Sequence, residues 1–140
     1  MMIQLIYVST AAGPVTTAVT GTILRSAQAY NAAKGITGVL CQGQGVYLQV
    51  LEGERSAVEA LYERIQTDKR HTHIEQRNLQ DISRRRYGRW AMAYVDWSAA
   101  SAATSQNLPG FDPYTATAEQ IMAQVDSLVA AGKVMDTPVI

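Results

Sequence analysis

Apolar residues along this chain fall into two rhythms, and the rhythm changes at definite places. From Met2 to Ser9 they alternate, with Ile3, Leu5 and Tyr7 on one side and Ile6 and Val8 on the other, which predicts a strand buried on both faces. From Val15 to Ala33 they recur every three or four residues, at Val15, Val19, Ile23, Ala27 and Tyr30, the stripe of a helix. Pro14 sits near the start of that helix, and Lys34 and Gly35 end it, with Gly35 as a left-handed cap. Two short strands follow, Val39–Cys41 and Val46–Leu51, around Gln42 to Gly45, whose two glycines supply the positive φ of a hairpin turn. A second helical stripe, Val58, Leu61, Tyr62 and Ile65, follows a capping-box pattern at Ser56 and Glu59, with a start near Glu54 as the alternative. Residues 73–82 alternate too weakly for a central strand and are expected at a sheet edge. Trp90 to Asp96 is the last strand, with Trp90, Met92 and Tyr94 expected on one face.

The order is β-α-β-β-α-β-β, an α+β, ferredoxin-like pattern with one added strand and both helices on one sheet face. Residues 98–140 change character: rich in Ala and Ser, then Pro109 and Gly110, then a capping pattern at Thr117 and Gln120 before a stripe of Ile121, Met122, Val125, Leu128 and Val129. A short helix is expected near 99–106. The division expected is an α+β unit over 1–97 and a helical extension over 98–140. That extension would cover the other sheet face, where Ile6, Val8, Leu48 and Val50 are apolar.

Composition narrows the class. The net charge is zero over 140 residues, which gives no general attraction to nucleic acid or acidic membranes. The single cysteine, Cys41, cannot form an internal disulfide, and with no basic-then-apolar leader and no run of ~18 apolar residues, a cytoplasmic chain is expected. Two histidines spaced i, i+2 and one distant cysteine are a poor metal set. Phosphate-loop, HExxH and GxSxG motifs are absent, as is the aromatic run of RNA-binding modules of this topology.

One polar residue stands out. Gln49 is an amide in the middle of a strand apolar on both faces, and a buried amide costs a few kcal/mol unless it is paired. Alternation puts Tyr7, Gln49, Met92 and Trp90 on the side assigned to the helices, with Tyr30 and Asn31 at the end of the first helix. Arg64, Asp68 and His71 are expected on the last turns of the second. A phenol, an amide and a thioether between two helices form a slot for a planar ring, with Arg64 at its mouth for a charged tail. Taken singly, Tyr7 suits a core position, Met92 is filler and Asp68 and His71 suit a surface.

These residues carry a resemblance. Leu5 to Ser9, Asn31, Gly35 to Leu40, Leu48 to Gly53, Arg64, Asp68 to His71, Arg84 to Arg86, and Trp90 to Met92 resemble, in order and spacing over about residues 2–96, the BLUF domain, a blue-light sensor that binds FAD non-covalently. The resemblance implies a photoreceptor, not an enzyme. In it Tyr7 gives an electron and a proton to the excited flavin, and Gln49 bridges Tyr7 to the ring. Asn31 bonds the pyrimidine edge, and Met92 and Trp90 are the switch residues of the last strand. Ile23 and Ile65 sandwich the ring, and Arg64 and Asp68 lie near the ribityl-phosphate chain. Tyr30 stands where some members carry His or Asn. A downstream signalling protein and self-association are implied in the same way. A small flavin oxidoreductase and a flavin-free interaction module are the competing readings.

Overall fold

In a computed structural model, which describes residues 1–14, 16–96, 112–130 and 134–135, the expected order appears. The elements are β1 (Met2–Ala11), α1 (Thr17–Lys34), β2 (Thr37–Gly43), β3 (Val46–Glu54), α2 (Arg55–Thr67), β4 (His71–Ile82), β5 (Ala93–Asp96), α3 (Ala118–Ala130) and a two-residue β6 (Val134–Met135). The sheet order is β4-β1-β3-β2-β5-β6. The β2–β5 pair is parallel, and every other neighbour is antiparallel. The expected helix near 99–106 lies outside the described residues.

Alternation sorts the core into two layers. Ile3, Leu5, Tyr7, Leu40, Tyr47, Leu51, Met92 and Tyr94 pack against α1 and α2. Ile6, Val8, Val39, Cys41, Leu48, Val50 and Val95 pack against Ile121, Val125 and Leu128 of α3. Cys41 is buried in this second layer, and burial pushes its thiol up to about 12.

Local signals are obeyed where backbone geometry decides. Gly35 caps α1 at φ 68° and donates to the Asn31 carbonyl. Thr117 and Gln120 form the reciprocal capping box, Thr117 N–H to Gln120 Oε1 at 2.9 Å and Gln120 N–H to Thr117 Oγ1 at 3.1 Å. Two expectations need correction and one alternative is decided. The hairpin turn places positive φ on Gln44 and Gly45, not on its two glycines, because a two-residue turn of this hand needs it at both central positions. Of the two starts open for α2 the earlier one holds: it begins at Arg55, and Glu54 caps it with no side-chain bond. Glu54 is instead drawn to the N-terminal ammonium at 2.7 Å, and Arg55 to Asp81 at 2.8 Å. The last strand starts at Ala93, not Trp90.

Candidate functional site

A cavity of about 150 Å³ opens between α1, α2 and the sheet. Tyr7, Ile23, Tyr30, Asn31, Gln49, Arg64, Ile65 and Asp68 all line it, together with Ser26, Ala27, Leu40, Tyr47, Leu61, Arg70 and His71. Most of the additional lining was legible in retrospect. Tyr47 shares the Gln49 face by alternation, and Leu61 and Ala27 belong to the same stripes as Ile65 and Ile23. Arg70 was harder, because it lies beyond the end of α2, and His71 was expected here but on a last helical turn. His71 is the first residue of β4, not part of a helical turn.

Strand register explains the centre. Tyr7 of β1 stands directly opposite Gln49 of β3, and both are buried. The Tyr7 hydroxyl donates to Gln49 Oε1, and Gln49 Nε2 donates to the Met92 thioether at 3.3 Å. The orientation follows from chemistry: a thioether sulfur can only accept, so the NH₂ must face Met92 and the carbonyl must face the phenol. Burial, then the neighbouring Tyr62, Asp68 and Tyr47, pushes the Tyr7 phenol far above the usual range near 10. Tyr7 therefore stays a neutral donor at any physiological pH.

Asn31 sits in the last turn of α1, almost fully buried. Its Nδ2 donates to the Ala91 carbonyl at 3.0 Å, while its Oδ1 is a buried acceptor with no partner. A buried polar atom left unpaired is destabilising by about 1–3 kcal/mol, so an acceptor of this kind on a cavity wall points to a ligand N–H.

At the mouth the groups are charged. The Arg64 guanidinium stacks 4.3 Å from the Tyr30 ring centre, a cation–π contact that steadies an exposed arginine. Arg70 and Asp68 pair at 2.5 Å, and that hydrogen bond holds the Asp68 carboxyl below the usual range despite partial burial. His71 closes the wall: Nε2 donates to the Ile65 carbonyl and Nδ1 accepts from Ser9 Oγ in the neutral ring, each at 2.7 Å. Its ring meets those of Tyr7 and Tyr47 edge-on at 6.2 and 6.4 Å.

Neither Met92 nor Trp90 lines the cavity, and of the two Trp90 is not on its side of the sheet. It packs in the α3 layer with Tyr87, Ala116 and Ile121, on the opposite side of the sheet from Met92. Alternation cannot be carried back from Tyr94 to Trp90, because the chain bends at residues 91 and 92, ahead of the ladder. Met92 lies behind the cavity wall and meets it through Gln49.

A family model described as sensors of blue light using FAD matches residues 2–93. The chain is 33% identical over 124 residues to photoactivated adenylate cyclase subunit beta of Euglena gracilis, a match covering 89% of this chain and 14% of that protein. The chain thus spans about one seventh of the length of that relative. The dark-state structure of BlrB, a BLUF protein, superposes with a TM-score of 0.78 at 28% identity, covering 93% of this chain and 96% of that one. A bacterial light-regulated adenylyl cyclase superposes at 35% identity with a TM-score of 0.69, over 70% of this chain and 29% of that one.

Proposed function

The chain belongs to the BLUF family, sensors of blue light using FAD, and we propose that light sensing in it is carried by Tyr7, Gln49 and Met92 beside a flavin held between α1 and α2. The observation that carries this reading is the run of hydrogen bonds Tyr7–Gln49–Met92 along a cavity on which Asn31 offers an unpaired buried acceptor. The residues fit the group. Ile23, Leu61 and Ile65 supply apolar walls for a flat ring, Asn31 Oδ1 an acceptor for a ring N–H, and Arg64 a cation at the mouth for a phosphate.

When bound, the flavin supplies absorption of blue light and an electron acceptor. The chain supplies the rest. Tyr7 can release an electron only together with its proton, since burial excludes a lasting charge there, and the proton has one acceptor in reach, Gln49 Oε1. The Gln49 amide can turn about its terminal torsion and exchange donor for acceptor, rewiring the network with no net chemistry. Met92 favours the starting orientation, because its sulfur can meet the NH₂ but has no proton for the carbonyl.

This stretch then senses and signals through contact with another protein or domain, and does not itself catalyse. Self-association is part of the reading; size-exclusion profiles of dark and blue-lit protein check it, and one monomeric profile in both states removes it. FAD-loaded protein should show a reversible red shift of its absorbance under blue light. Tyr7→Phe and Gln49→Leu should keep the flavin and lose the shift, and a normal shift in either variant removes that residue from the mechanism. Asn31→Ala should weaken FAD binding about tenfold, the worth of ~1.4 kcal/mol; unaltered retention on equilibrium dialysis would deny it the ligand contact.

A further inference from the structure

Gln28 takes no part in the site just described, and it does not line the cavity. It lies on α1, three residues before Asn31, half-buried, and its Nε2 donates to the Met92 carbonyl at 3.1 Å. Asn31 donates to the Ala91 carbonyl at 3.0 Å, and the Gly38 N–H to the Trp90 carbonyl at 3.2 Å. Three successive carbonyls ahead of β5 are thus each given one donor. Residues 91 and 92 precede the β2–β5 ladder, which begins at Ala93. Two side-chain amides of one helix do there what a ladder does elsewhere.

We propose that Gln28 is a positioning residue for the light response: by holding the Met92 carbonyl it holds the Met92 sulfur against the Gln49 amide. The inference rests on the function proposed above. A thioether accepts weakly and donates nothing. Facing Gln49 Nε2 it makes a weak hydrogen bond; facing a turned Oε1 it would set two lone-pair atoms against each other. A methionine kept in place penalises the turned amide and shortens its life. One whose backbone is released can draw back, and the turned amide then persists.

The test is the decay of the light-induced red shift in FAD-loaded protein after a blue pulse. Gln28→Met keeps the length of the side chain and removes the donor; the shifted state should outlast that of the unaltered protein at least threefold. Gln28→Lys restores a donor of similar reach and should bring the lifetime back. In a Met92→Leu background, Gln28→Met should add nothing, because no sulfur remains to be placed. An unchanged lifetime in Gln28→Met overturns the inference, as does a Gln28→Lys variant as slow as Gln28→Met. No red shift in the unaltered protein overturns the underlying function instead, so the two failures are distinguishable.

Discussion

At the scale of the residue, Gln49 was legible because its neighbours left it no other explanation. A single amide in a run of apolar side chains demands a partner, and alternation named the face on which to look. Its partner's exact place was not legible: that Tyr7 stands opposite depends on the β1–β3 register, and a shift of one residue would have sent the two side chains to different faces. Trp90 went astray for a related reason, because period-2 logic was carried past the end of the strand. Glu52 escaped notice as one more strand residue. It is fully buried, and its carboxylate takes the Tyr87 N–H at 2.7 Å, the Arg86 N–H at 3.0 Å and Gln4 Nε2 at 2.9 Å. Two glycine-region predictions belong here. A Cβ on Gly38 would sit 1.9 Å from the Val50 carbonyl oxygen of the paired strand, so Gly38→Ala should destabilise by about 3 kcal/mol or more. A urea midpoint equal to that of the unaltered protein would contradict the close approach. Gln44 holds φ 55°, a region asparagine tolerates better, so Gln44→Asn should raise the same midpoint by the equivalent of roughly 0.5 kcal/mol.

Among the elements, the joint between the β4–β5 loop and α3 carries most of the unforeseen chemistry. In the run Arg84 to Arg86 each of the last two is engaged. Arg85 donates to Thr37 Oγ1 at 2.9 Å and to the Glu52 carbonyl at 3.1 Å. Arg86 pairs with Asp126 of α3, which also accepts from the Tyr87 hydroxyl at 2.5 Å. Such partners are distant in sequence and leave no local pattern. Partial burial pushes the Asp126 carboxyl up, but the bonds from Arg86 and Tyr87 outweigh it and leave the group below its usual value. A carboxyl whose folded pKa is depressed stabilises fully above its unfolded pKa of about 3.9 and loses that contribution as pH falls through the folded value. Asp126→Asn should therefore cost about 1 kcal/mol at pH 7, given the partly exposed pair, and the difference from the unaltered protein should shrink as pH drops below about 4. Urea melts at pH 7 and pH 3 measure it, and a gap that stays constant between them would show that the pairing is not electrostatic.

At the scale of the whole molecule, the sheet has two apolar faces and needs two covers. The helices α1 and α2 cover one and leave a cavity in it; α3 covers the other. The sequence foretold the need for this second cover, from Ile6, Val8, Leu48 and Val50, more firmly than it foretold the helix's path, which Tyr114 also fixes through Thr10 Oγ1 at 2.7 Å and the His73 carbonyl at 2.9 Å. Trp90 lies beneath this cover while its neighbour Met92 reaches the amide on the far side. Residues 90–92 thus contribute side chains to both core layers. If 98–140 were a separable module, residues 1–97 alone should stay folded and associate no further than the full chain. With the face it covers fully apolar at Ile6, Val8, Val39, Leu48, Val50 and Val95, we expect the opposite: the truncated chain should associate or bind a hydrophobic dye strongly. In the full chain, Leu128→Ala should lower stability by about 2–4 kcal/mol. A truncated chain that keeps the association state of the full protein, binds no dye and keeps its photocycle lifetime would show that the α3 layer is neither a needed cover nor coupled to the site.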